Sequence, residues 1–225
     1  VDKTLIATDT LRLVVELDRD IAFNAGQYLK FVVPESESGP QCDRTWSIAS
    51  PPTDRRHVEL HIRLVPGGRG TEGWVFKDLE VGSPVTLSGP YGRFVLHTGA
   101  DNHAIMVAGG TGIAPLRCLL VDMMRFGDNP RVHLFYGARH PGDLYDLPTL
   151  VDLASTAPWL TIQPVSEADE DPWWAGARRE LPRTLHRRQT GTLVDAVTGW
   201  GSWADRQVLL SGSPEMMRAT VKGMV

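Results

Sequence analysis

The stretch that most restricts this chain is His103–Pro115, HAIMVAGGTGIAP. A short apolar run, Ala104–Ala108, leads into a glycine turn at Gly109–Gly112 and then straight into a helical pattern that takes over at Pro115. Leu116, Leu119, Leu120, Met123 and Met124 recur at helical spacing and fall on one face. A buried strand that turns through glycines onto a helix belongs to an α/β layer. The bare N–H groups at such a helix start form a seat for a diphosphate. The same residues also serve as a plain strand-to-helix turn, and they depart from the strict dinucleotide fingerprint, because Pro115 stands where the last packing glycine would be.

The chain on either side of this stretch has two different rhythms. Before it, strand-like runs dominate: Thr10–Asp18, Tyr28–Val33, Thr45–Ala49, His57–Val65 and Pro84–Ser88, with Val58, Leu60, Ile62 and Leu64 in clean alternation. One short helix, Thr71–Leu79, interrupts them. Short strands with few helices must close or stack to hide their edges, which predicts a small antiparallel barrel. After the polar His97–Asn102 the period changes to strand, helix, strand, helix: Ala104–Ala108, Pro115–Arg125, Arg131–Tyr136, Leu147–Ala154, then a strand at Leu160–Val165. That alternation predicts a parallel sheet with crossover helices, and a domain boundary near residue 100, giving domains 1–100 and 101–225. Further on, Glu167, Asp169, Glu170 and Asp171, followed by Trp173, Trp174 and a basic stretch, read as a surface excursion. A helix starting in Gly191–Val197, a strand at Val208–Leu210 and a helix opened by Ser213 and Pro214 complete the pattern. The start at Val1 and a last helix still running at the end of the chain predict further flanking sequence.

Composition removes several classes of function. With 42% hydrophobic residues, 22% charged residues and a formal charge of -4, the chain is ordinary globular material, and its few basic patches are too broken to follow a phosphate backbone. Cys42 and Cys118 stand far apart, with no spacing that could hold a metal or an iron–sulfur centre, and such cysteine usage suits a reducing cytoplasm. No apolar run approaches membrane-spanning length, so no membrane insertion is expected. The histidines show no ligand spacing.

Two further segments carry chemistry. Arg44–Ser50, RTWSIAS, offers an arginine that can fork onto a phosphate, a tryptophan that can cover a planar ring and a serine that can meet a ring nitrogen. Val65–Trp74, VPGGRGTEGW, ends a strand in a glycine turn and enters a helix at Thr71, with N–H groups open to a second diphosphate.

Taken together, these segments resemble the ferredoxin–NADP reductase superfamily, more narrowly the reductase modules of bacterial ring-hydroxylating oxygenases and flavohaemoglobins. Arg44, Trp46 and Ser47 match the flavin signature Arg-x-Tyr-Ser, Gly68–Thr71 the flavin-diphosphate turn, and Gly89–Phe94 the segment closing the barrel. Gly110–Pro115 matches the nicotinamide-nucleotide loop, Tyr136–Arg139 the following strand end, Val165–Glu167 the ribose region, and Gly212–Met217 the late Cys-Gly-x-Pro-x-Met motif. The resemblance implies an antiparallel six-stranded FAD barrel followed by a doubly wound parallel sheet for NADH or NADPH. It implies cofactor contacts from Arg44, Thr45, Trp46, Ser47, His61, Arg63, Gly68, Gly70 and Thr71 in the first domain. In the second it implies contacts from Gly110, Thr111, Gly112, Pro115, Arg139, Ser166, Glu167, Gly212 and Met217, with Ser47 and Ser211 at the reacting rings.

The implied activity is hydride transfer from NAD(P)H to FAD, then single electrons to a haem-globin or iron–sulfur acceptor, either fused or a separate protein. A free-flavin reductase and a catalytically weak FAD-binding regulatory module are the alternatives. Ser211 motivates the second, since it stands where most relatives carry a cysteine near the nicotinamide. Glu167, where NADPH users place a phosphate-clasping arginine, favours NADH, while Arg139 points the other way.

Overall fold

The computed structural model describes residues 2–37, 39–97, 103–169, 185–201 and 203–224. The chain divides into two units. One comprises Val1–Val95 with Arg117–Asp122, the other Leu96–Leu116 with Met123–Val225.

In the first unit, β1 (Asp2–Ala7), β2 (Thr10–Glu16) and β5 (His57–Arg63) form one antiparallel three-stranded sheet. A second contains β4 (Cys42–Ser47), β3 (Tyr28–Val33) and β6 (Thr86–Tyr91). The period-2 pattern explains the core: Leu11, Leu13 and Val15 of β2, Leu29, Phe31 and Val33 of β3, and Val58, Leu60 and Ile62 of β5 are all buried. The sheets are tied where β4 runs out, through an Ile48–Leu60 bridge and the Ala49 N–H donating to the Glu59 carbonyl at 2.8 Å.

Strand β1 is absent from the sequence reading because its outer residues are polar or exposed. Leu5 is 59% exposed, so no alternation marks the strand. The expected Thr71–Leu79 helix runs instead over Arg69–Asp78 and is wide, its ladder opening with Gly73 N–H to the Gly68 carbonyl at 3.2 Å. Leu79 is already extended and closes the helix through its N–H on the Trp74 carbonyl at 2.8 Å.

The second unit is a five-stranded parallel sheet in the order β10 (Gln189–Thr190), β9 (Leu160–Ser166), β8 (Val132–Ala138), β7 (Ala104–Gly109), β11 (Gln207–Ser211). The central strands are buried along nearly their whole length, as expected of a sheet covered on both faces. Helices α1 (Ile113–Met123), whose stretch Arg117–Asp122 belongs to the first unit, α2 (Leu147–Thr156), α3 (Leu193–Gly199) and α4 (Pro214–Met224) follow β7, β8, β10 and β11 in turn. Ile105, Val107, Phe135 and Val165 meet Leu193, Ala196 and Val197 of α3 in one buried cluster.

Helix α1 starts two residues before the expected Pro115, because a tight turn at Gly110–Gly112 passes directly into it. Pro115 therefore sits in the first turn, where no N–H is needed. Met124, expected on the buried face, lies past the helix end and is 36% exposed. Of the anticipated surface excursion, Glu170, Asp171, Trp173 and Trp174 lie outside the described residues.

Candidate functional site

The strand order fixes where a ligand can sit in the second unit. From β7 the chain winds outward through β8, β9 and β10, then returns to β11 on the other side of β7, so the winding reverses between β7 and β11. Open α/β sheets bind ligands outside the carboxyl ends of the strands at such a reversal. Two glycine segments meet there. A Cβ built on Gly112 would lie 2.2 Å from the Ser211 carbonyl oxygen, and one on Gly212 would lie 3.2 Å from the Gly109 nitrogen. Gly112 is thus a glycine because backbone packs on backbone, whereas at Gly109 and Gly212 the nearest atom to an added Cβ is the Met216 methyl. Gly110 differs: its φ is +54° and a Cβ there would meet nothing within 4 Å. Gly110 and Thr111, both half-buried, form the turn that enters α1; the Ile113 N–H donates back to the Gly110 carbonyl, so the N–H groups that a helix start leaves without a helical acceptor are those of the Gly110–Gly112 turn itself. This arrangement fits a nucleotide diphosphate. Pro115 is buried and shapes the turn from within.

The expected ribose region surrounds the end of β9. The Glu167 N–H donates to the Ala138 carbonyl at 3.2 Å and the Ala168 N–H to the Arg139 carbonyl at 2.9 Å, which brings Arg139 and Glu167, both exposed, to neighbouring strand ends. Ser166 is fully buried. Its Oγ donates to the Ala168 carbonyl at 2.7 Å and accepts from Arg188 Nη1. Arg188 was no candidate in the sequence, because it precedes a two-residue strand and follows a stretch without clear periodicity.

In the first unit, Arg44 on β4 is exposed, and its aliphatic stem lies across Gly70. A Cβ on Gly70 would fall 2.5 Å from Arg44 Cγ. The guanidinium, whose Nη1 donates to the Asp43 carbonyl at 2.7 Å, is therefore held beside the start of the Arg69–Asp78 helix. Half-buried Trp46 stacks on Trp74 with ring centres 6.2 Å apart and planes at 25°, and leans on Phe31 at 5.2 Å. Thr45 is exposed beside it, and Ser47 is half-buried at the strand end opposite Tyr28. An arginine and a helix start side by side, next to a partly accessible indole, fit a flavin carrying phosphates.

The glycine turn of Val65–Trp74 differs from the expectation of open donors. Gly67 N–H donates to Glu72 Oε2 at 2.6 Å, Gly68 N–H donates to the Val65 carbonyl at 2.8 Å, and Thr71 Oγ1 accepts from Val65 N–H at 3.1 Å. The Gly67 hydrogen bond, followed by Lys77, lowers the Glu72 carboxyl below its usual range, so this turn already binds an anion of its own. Gly68 is held tight in the turn, a Cβ there falling 2.7 Å from both Thr71 Oγ1 and the Val65 carbonyl. The donors left for a ligand belong to the helix's first turn, next to Arg44.

His61 and Arg63, also expected at the flavin, each have a carboxylate partner in the protein. His61 is buried with Nε2 2.8 Å from Glu59 Oε1, and Arg63 Nε donates to Asp9 at 2.8 Å. At the late motif, the residue against the nucleotide loop is Met216 rather than the expected Met217. Added Cβ atoms on Gly109 and Gly212 would come within 2.9 and 2.4 Å of Met216 Cε. The motif's own spacing, counted from Ser211, pointed to that methionine.

Comparison with known proteins agrees with this geometry. The Oxidoreductase FAD-binding domain family matches residues 1–96, and the Oxidoreductase NAD-binding domain family matches residues 106–222. The reductase component DmpP of phenol 2-monooxygenase from Pseudomonas sp. is 34% identical over 212 residues, covering 93% of this chain and 55% of its own. An aromatic O-demethylase reductase subunit from Amycolatopsis sp. is 34% identical over 223 residues, covering 96% and 61%. The crystal structure of the Amycolatopsis reductase GcoB superposes with a TM-score of 0.83 at 32% identity, over 100% of this chain and 63% of that one. An FAD-binding domain followed by an NAD-binding domain defines a two-domain protein of the flavin- and nicotinamide-nucleotide-binding class. The chain belongs to the ferredoxin–NADP reductase superfamily. It spans just over half to somewhat under two thirds of the length of these relatives. Among the described residues, no helix is long and apolar enough to cross a membrane.

Proposed function

We propose that this chain is the reductase module of an electron-transfer system, dividing near residue 100 into an FAD domain and an NADH-preferring domain. It would deliver electrons to a haem-globin or iron–sulfur acceptor, fused or separate, in the cytoplasm. The observation that carries the reading is the meeting of Gly109–Gly112 with Ser211–Gly212 at the winding reversal of the parallel sheet, with open space above Gly110. The names of the relatives, reductase components of oxygen-using systems, support the acceptor class.

When bound, the nicotinamide nucleotide supplies a hydride and the flavin takes it up and releases electrons singly. The chain's own residues position and shield. Arg44 and the first turn of the Arg69–Asp78 helix would hold the flavin phosphates, Trp46 would cover its ring and Ser47 would hydrogen-bond a ring nitrogen. Gly110, Thr111 and the start of α1 would hold the second diphosphate, with Arg139, Ser166 and Glu167 at the ribose side and Ser211 near the reacting ring. No acid–base pair is required, since fixed orientation and exclusion of water carry the rate.

Stopped-flow mixing of the purified protein with NADH under anaerobic conditions tests the proposal. Rapid bleaching of a flavin that stays with the protein through gel filtration is expected. A flavin lost on filtration identifies the free-flavin reductase, and a retained flavin that NADH leaves oxidised identifies a regulatory module. Either result overturns the proposal.

A further inference from the structure

At the edge of the parallel sheet, two charged residues, Arg188 and Asp169, are joined to each other beside Ser166. The Arg188 side chain is only 7% exposed. Its Nη1 donates to Ser166 Oγ and to the Ala168 carbonyl, the latter at 3.1 Å, and its Nη2 donates to the Asp169 carbonyl at 3.0 Å and to Asp169 Oδ1 at 3.2 Å. Nε has no partner among the described residues. Asp169 is the reverse case: its side chain is 80% exposed, yet Oδ1 is fixed twice, by Arg188 and by Thr190 Oγ1 at 3.0 Å. A buried cation thus holds an exposed carboxylate in one orientation at the carboxyl ends of β9 and β10. Glu167, two residues earlier, is exposed, and the bond described for it is that of its backbone N–H.

We propose that Asp169, oriented by Arg188 and Thr190, selects the nucleotide that lacks a 2′-phosphate, and that Arg188 is a latent phosphate seat which Asp169 occupies. The inference rests on the nicotinamide-nucleotide reading and moves the discriminating charge from Glu167 to Asp169. With Oδ1 engaged and no partner for Oδ2 among the described residues, the Oδ2 lone pairs of Asp169 can accept from a ribose hydroxyl, whereas a phosphate dianion there meets a carboxylate that cannot swing away. An exposed charge such as Glu167, whose carboxylate has no partner among the described residues, is screened and discriminates weakly. Neutralising Asp169 leaves the Arg188 guanidinium with carbonyl and hydroxyl partners but no counter-charge, which favours capture of an anion.

Equilibrium titration of the flavin-loaded protein with 5′-AMP and 2′,5′-ADP at low ionic strength isolates the 2′-phosphate from any effect on hydride transfer. Wild type should bind 5′-AMP more tightly. Asp169→Asn, at an exposed position, should improve 2′,5′-ADP relative to 5′-AMP by about tenfold, while Glu167→Gln shifts the ratio by less than about twofold. Adding Arg188→Gln to Asp169→Asn should abolish the gain while 5′-AMP still binds. An unchanged ratio in Asp169→Asn with both probes bound, or an equal shift from Glu167→Gln, overturns the inference alone. Wild-type protein that binds neither probe overturns the nucleotide reading and the inference together.

Discussion

Gly112 lies backbone to backbone against Ser211, so closely that a Cβ on Gly112 would fall 2.2 Å from the Ser211 carbonyl oxygen and 2.4 Å from its carbonyl carbon. The turn after β7 and the turn after β11 are therefore a single packed unit, and the two glycines of the first turn have different work. Gly112 closes the fold, and Gly110 leaves its surface open.

Gly112→Val should accordingly damage folding of the nucleotide unit, at a cost of about 3 kcal/mol, rather than remove hydride transfer selectively. Gly110→Ala should cost only ~1–2 kcal/mol for its left-handed backbone and should raise KM for the nucleotide with the fold intact. Thermal unfolding together with steady-state kinetics separates the two. A Gly112→Val protein with the parent's melting temperature would contradict the packing assignment.

Arg44 is held against Gly70 beside a helix start, so Arg44→Ala removes a charge-assisted contact worth ~1.5–3 kcal/mol to a bound phosphate. The purified variant should carry far less flavin than the parent, read as the flavin-to-protein absorbance ratio after gel filtration. Undiminished flavin would remove Arg44 from the site.

Ser211 aligns with a position where a thiol is expected to assist at the nicotinamide. Ser211→Cys adds a larger, more polarizable atom at a half-buried strand end and should speed flavin reduction several-fold without lowering the melting temperature. An unchanged reduction rate would place this side chain away from the reacting ring.

His133 on β8 stacks on Phe135 with ring centres 4.6 Å apart and meets Trp200 edge-on at 4.7 Å. Burial, and then the positive charge of His186 and Arg206, push its pKa down from 6.5 to about 4. Because the folded value is depressed, the unfolded chain takes up the proton first. Stability is full above pH 6.5 and falls as the pH drops toward about 4. Allowing for its partial exposure, the loss should be ~2 kcal/mol. Urea unfolding across that range should show the decline, and His133→Phe should flatten it. A parent protein equally stable at both ends would refute the assignment.

Local chemistry makes much of this molecule legible in its sequence alone. Alternation in Val58, Leu60 and Ile62 marks a half-buried strand, and the glycine turn between Ala108 and the α1 face marks a strand-to-helix passage, because both patterns record which side of an element meets water. Strand β1 escaped the same test, since an edge strand with polar outer residues carries no such record. Elements far apart in sequence were placed by tertiary structure. The return of β11 to the far side of β7 brings Ser211 onto Gly112 and Met216 onto Gly109, and the short strand β10 carries Arg188 to Ser166 and Asp169. No local periodicity encodes such meetings, because they depend on which strand edges pair once the chain has wound back on itself. Residue types that can bind a diphosphate follow from the sequence alone. Which glycine is exposed, which is packed, and which carboxylate is held still are decided by the backbone brought against them.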